Sequence, residues 1–137
     1  GQAADDEEGR QAEADGRVEV ETLVAALNFG ESLKDLSRFE EAKALLRRTI
    51  PVARRVLREG DEVTLELRCC HAEALYKDGD ATLDDLRGSL TTLEEIERTA
   101  RRVLGGAHPT TTEIKEALQG ARAALHARET PQSSLQR

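Results

Sequence analysis

Apolar side chains along this chain recur at spacings of three and four, the period of one face of an α-helix. Val20, Leu23, Leu27 and Leu33, with Gly30 among them, predict a first helix beginning near Val18 and stopping near Leu36-Ser37. Phe39, Ala42, Leu46, Ala53, Val56 and Leu57 predict a second, with Ser37 and Glu40 reading as its capping box. Pro51 falls inside that stretch, removes one backbone donor and predicts a kink over Arg47–Ile50. Gly60 is expected to end the helix. Val63, Leu67, Cys70, His71, Ala74 and Leu75 predict a third helix, capped by Asp61 through Thr64 and closed by the turn Lys77-Asp78-Gly79-Asp80. Thr82, with Asp85, caps a fourth that buries Leu83, Leu86, Leu90, Leu93, Ile96, Ala100, Val103 and Leu104 before Gly105-Gly106. Pro109 suits the first turn of a fifth, which buries Ile114, Leu118, Ala121 and Leu125.

The flanks lack this periodicity. Residues 1–16 are acidic and rich in Ala, Gly and Gln, and read as a flexible tail or linker, ordered if at all by helical extension or a crystal contact rather than as a folded subdomain. Residues 130–137 read as a polar tail. The folded part is therefore expected over residues 17–129, a length that fits one domain. With one Tyr, two Phe and no Trp, and with Ala, Leu, Glu and Arg dominant, the composition favours helix over strand.

The helical pattern repeats itself. Thr22-Leu23 recurs as Thr64-Leu65, an offset of 42 residues, and Arg54-Arg55-Val56-Leu57 recurs as Arg101-Arg102-Val103-Leu104, an offset of 47. The difference of five places an insertion in the second unit, around Gly79–Arg87. A third, partial copy opens at His108-Pro109-Thr110-Thr111. The units run over residues 18–60, 61–106 and 108–129, about two and a half helix pairs. A lone pair cannot bury its apolar face, so neighbours must stack.

The stretches Leu27-Asn28-Phe29-Gly30, Arg38-Phe39-Glu40-Glu41-Ala42, Leu46-Arg47-Arg48, Arg55-Val56-Leu57 and Gly106-Ala107-His108-Pro109 resemble the tetratricopeptide repeat, in the longer variety found in kinesin light chains. The resemblance spans Val18 to Arg128. It implies an all-α fold of antiparallel helix hairpins, about five helices in a short right-handed superhelix. In the family a small residue in the first helix of each pair lets the second approach, which Gly30 and Ala72 match. An aromatic followed by a small residue opens the second helix, which Phe39 and Ala42 match. In the second unit Leu86 and Ser89 stand in for them.

Charge narrows the function classes. Six acids (Asp5, Asp6, Glu7, Glu8, Glu13, Asp15) against Arg10 put −5 of the net −7 in residues 1–16, leaving −2 for the remaining 121 residues. A nucleic-acid footprint needs clustered positive charge, and a single-strand binder also wants stacking aromatics. Neither pattern is present. No apolar run approaches the ~18 residues of a membrane span. No signal peptide is visible, and the lack of Met fits a piece cut from a longer protein or a processed chain. The two adjacent cysteines suit neither a disulfide nor a shared metal, and reduced thiols suit an intracellular, cytoplasmic compartment.

No constellation points to an enzyme or a cofactor. Cys69-Cys70-His71 looks like a ligand cluster, but ligands on a helix converge at i, i+3 or i+4, so inward packing is the expectation. His108 reads as a turn residue or cap, and His126 as solvated. Gly105-Gly106 follows a helix rather than opening one and lacks the Lys-Ser/Thr of a phosphate loop. Asp78-Gly79-Asp80 lacks the ligand ladder of a calcium loop.

The expected function is instead protein recognition. The resemblance implies a concave wall built from the first helix of each pair, with a ligand peptide lying along it. Matching positions are Val24, Asn28, Glu31 and Lys34 in the first unit, and Glu66, Cys70, Glu73 and Lys77 in the second. Glu113, Ala117 and Gly120 occupy them in the half repeat. Chaperone-binding members hold a peptide carboxylate with a Lys/Asn/Arg set, of which only Asn28 is present, so no carboxylate clamp is implied. Glu31, Glu66 and Glu73 give the groove more acid than base, which points either to a partner segment of basic character or to acids that only keep the surface soluble. The competing expectation is a structural subunit or spacer that meets its neighbours, or a second copy, through convex or end faces.

Overall fold

The computed structural model describes residues 2–130. Five helices follow one another: α1 (Gln2–Asp35), α2 (Phe39–Leu57), α3 (Glu62–Lys77), α4 (Leu83–Val103) and α5 (Pro109–Glu129). Each packs on its chain neighbour, and α3 also packs on α1 and α5. The result is two layers, α1-α3-α5 and α2-α4, as the helix-hairpin reading expects.

Local chemistry explains the helix ends. Asp61 caps α3 by accepting from the Val63 N–H at 2.9 Å, rather than through Thr64. Thr82 and Asp85 form the expected reciprocal capping box of α4, both bonds at 3.0 Å. His108 is the cap of α5: its Nδ1 accepts from Thr110 N–H at 3.1 Å, with Pro109 in the first turn. Ser37 corrects the reading of the α1–α2 junction. Its φ of 60° places it in the left-handed region, where it closes α1 instead of capping α2. Arg38 N–H donates to the Leu33 carbonyl at 2.8 Å and Ser37 N–H to that of Lys34 at 2.9 Å, the paired bonds of a Schellman closure. Arg38 then opens α2 with no side-chain cap bond.

One further difference concerns extent. The first helix begins at Gln2, not near Val18, so residues 2–16 continue α1 as a helical extension. Their Ala, Glu and Gln content supports helix without any apolar face, and Gln11 bonds Asp15 one turn on at 2.9 Å. Helix α2 runs through Pro51 as one element. The tail reading falls on residues 131–137, outside the described part of the chain.

The core lies between the layers in connected clusters. Leu23, Leu27, Leu46, Ile50 and Ala53 gather against Leu67 and Cys70 of α3. Leu93, Ile96, Ala100, Ile114 and Leu118 gather against Leu65, Cys69 and Ala72 on another side of the same helix. Helix α3 is therefore apolar on several faces, and a one-face reading of it missed Leu65 and Cys69. Leu83 and Val103, expected inside, are 37% and 51% exposed.

Small residues set the helix spacing. A Cβ added to Gly30 would lie 3.3 Å from Leu46 Cδ2, so the glycine admits α2 close to α1. In the second pair, Ser89 is fully buried and its hydroxyl donates to the Ala72 carbonyl at 2.7 Å. Serine thus serves as the small contact residue of α4.

Candidate partner-binding face

Helices α1, α3 and α5 bring their glutamates to one layer. Lys34 is the hub: its Nζ lies 2.7 Å from Glu31 and 2.9 Å from Glu73. Glu73 also meets Lys77 at 3.2 Å, one turn along α3. Lys34 and Glu73 are both buried, at 8% exposure each. The two carboxylates hold the Lys34 ammonium well above the ordinary lysine range, against the effect of burial.

Glu66 and Glu113 are less well matched. Thr110 Oγ1 lies 3.0 Å from Glu66 and 3.0 Å from Glu62. A hydroxyl has one proton, so it donates to only one carboxylate at a time. Burial pushes the Glu66 carboxyl up, the Thr110 hydroxyl opposes this, and Glu62 and Glu31 add repulsion. Burial also raises the Glu113 carboxyl, with Glu31, Glu73 and Glu66 adding to it and Lys34 opposing. Glu31, Glu62, Glu66, Glu73 and Glu113 therefore form one electrostatic group with Lys34 at its centre and Lys77 at its edge.

The sign of the pH effect follows. A carboxyl with a raised folded pKa binds more protons when folded, so stability falls as pH rises from its ordinary value through the raised one. Glu113→Gln is expected to raise the urea midpoint at about pH 7.5 and to shrink its difference from the midpoint at about pH 5. A lower midpoint with an unchanged difference would show that the Glu113 charge stabilises the fold.

The structure sorts the residues expected in the groove. Asn28 and Lys77 are exposed, Glu31 and Glu66 half-buried, and Val24 lies 37% exposed. Lys34 and Glu73 belong to the same face but are committed to each other. Cys70 is a correction: it is fully buried among Leu27, Leu46 and Leu67 and offers nothing to a partner. The repeat register placed it in the groove, whereas the apolar pattern of α3 placed it inside, where it lies. Ala117, 3% exposed, also belongs to the core, and Gly120 lies beneath the Tyr76 ring. Of the α5 positions only Glu113 reaches the face. Sequence reasoning missed Glu62 and Thr110, which the α3–α5 packing brings together from 48 residues apart.

Cys69 Sγ and carboxylate oxygens of Glu73 and Glu113 lie within 4.8 Å of one another, a set that could hold a metal ion. Burial, then the Glu73 and Glu113 charges, push the Cys69 thiol far above its ordinary range. Glu73 is already matched by two lysines. A neutral thiol facing Glu73 at 3.9 Å is the better description of this trio. Adjacent Cys70 packs in a different cluster, inward as expected, whereas the burial of Cys69 was not anticipated.

No helix of the described residues is long and apolar enough to cross a membrane. The chain matches no protein-family model, no curated protein and no solved structure.

Proposed function

We propose that this protein is a recognition module of the tetratricopeptide type, binding a basic segment of another protein along the α1-α3-α5 face. The observation that carries this reading is the convergence of five glutamates from three helices, two of them pushed toward their protonated form by burial and then by their neighbours' charge. A cationic side chain laid beside Glu66 and Glu113 would relieve that repulsion, which gives a basic ligand an advantage over a neutral one. Acidic potential on a face sets partner choice and association rate more than raw affinity. The expected ligand is extended and carries Lys or Arg.

The test is fluorescence anisotropy with two labelled peptides of equal length, one Lys/Arg-rich and one Asp/Glu-rich. The basic peptide should bind and the acidic one should not. Glu66→Gln with Glu113→Gln should weaken binding about tenfold, the cost of about 1.4 kcal/mol. Equal affinity of both peptides, or of both proteins, would end this reading.

A second reading, association through the array ends, draws on different residues. Phe29 is 58% exposed and Leu36 66%, both on α1 or its closing turn. If this edge seats a second copy, the chain sediments as a dimer and Phe29→Asp returns it to monomer. A wild-type monomer at every concentration would discard end pairing.

A further inference from the structure

Helices α2 and α4 do not pack on each other, and a cleft of about 230 Å³ opens between them over α3. It lies in the layer opposite the glutamate face. Arg47, Pro51 and Arg54 of α2, Arg68 and His71 of α3 and Thr92 of α4 line it.

This lining has unused capacity for an anion. Arg47 is exposed and has no ion pair among the described residues. Arg54 is paired with Glu59 at 2.8 Å. Arg68 is buried at 6% exposure, yet its partners are distant: Glu59 at 3.4 Å and Glu95 at 3.3 Å. Charge-assisted bonds of this kind usually close to about 2.7–2.9 Å. Both glutamates are more than half exposed, and Glu59 is shared with Arg54 at 2.8 Å. His71 completes the picture. Its Nε2 is buried with no hydrogen-bond partner among the described residues, an unfavourable state for a polar atom. Burial, with the charges of Arg47 and Lys43, pushes this imidazole below its ordinary range, so at neutral pH it is an uncharged donor or acceptor.

We propose that this cleft is a binding site for a phosphoryl dianion, held by Arg47 and Arg68 and by a bond from His71 Nε2–H. Donors converging from α2 and α3, with the Thr92 hydroxyl on α4, suit a tetrahedral group with three free oxygens better than a planar carboxylate. Three arginines against two rim carboxylates leave the lining positive before the anion arrives. The dianion would satisfy His71 and give Arg68 a close partner. The ligand class is inorganic phosphate or a phosphorylated side chain; the site recognises the group they share. It is independent of the glutamate face and does not need the peptide reading to hold.

The test is an NMR titration that follows the His71 ring while sodium phosphate replaces sodium chloride at constant pH and ionic strength. A saturable shift of His71 is expected, absent in Arg47→Ala, whose side chain is exposed and makes no ion pair among the described residues. A short phosphoserine peptide and its unphosphorylated form make the second arm. Binding of the phosphopeptide at least about tenfold tighter than inorganic phosphate would identify a modified side chain as the ligand. Phosphate binding with no gain from the peptide would identify the free anion. A His71 ring that responds to phosphate no differently than to chloride, or an Arg47→Ala protein that titrates like the wild type, would overturn the assignment.

Discussion

Lys34→Met should lower the stability of the domain by about 2–4 kcal/mol, read from urea unfolding. The lysine stem contributes packing that methionine largely replaces, so the loss isolates the charge. Without Lys34, Glu73 remains buried at 8% exposure with Lys77 alone, and Glu31 loses the partner at 2.7 Å. Orphaning one member of a buried pair costs more than the pair is worth, because the remaining charge keeps its desolvation penalty. The retained Lys77 contact puts the expectation below the full range for an isolated orphan. Adding Glu73→Gln to Lys34→Met should therefore recover much of the loss. A double variant as unstable as the sum of the two single variants would show that the two side chains do not act on each other.

Leu93→Ala is expected to cost about 2–5 kcal/mol, from lost burial and the cavity left behind. Leu93 is fully buried between Ile96, Ile114 and the α3 side chains Leu65 and Cys69. A typical domain has only about 5–15 kcal/mol in total, so this change should reach a large fraction of it. Its effect should also be local. The cluster it belongs to joins α3, α4 and α5, whereas α1 and α2 meet α3 through other residues. In stacked helix pairs stability is a sum of units and interfaces. Amide exchange should therefore accelerate more in α4 and α5 than in α1 and α2. Uniform acceleration across all five helices would show one cooperative unit instead.

The sequence announced some parts of this fold through chemistry that acts locally. Thr82 with Asp85, Asp61 and His108-Pro109 mark helix starts because the capping groups lie within three residues of the amides they satisfy. Ser37 misled for the same reason: serine caps starts by preference, and its left-handed closure of α1 depends on where α2 must lie. The extent of α1 was hidden because residues 2–16 have helix propensity but no apolar stripe. Cys70 was misplaced by the repeat register, although the apolar periodicity of α3 already had it inside. The glutamate face was half legible: Glu31, Glu66 and Glu73 follow from the repeat register. Glu62 and Thr110 join it only through the docking of α5 on α3, and the arginine cleft only through the separation of α2 from α4.

The many-sided burial of α3 bears on how the chain is made. The inner faces of α1 and α2 are complete only when Leu67, Cys70 and Ala74 arrive. On a ribosome the first hairpin is finished at Leu57, but α3 ends at Lys77. At roughly 5–20 residues per second, the hairpin would wait about 1–4 s with Leu23, Leu27, Leu46 and Ile50 uncovered. Nascent chains paused between Leu57 and Lys77 should accordingly be the species that holdase chaperones engage most strongly.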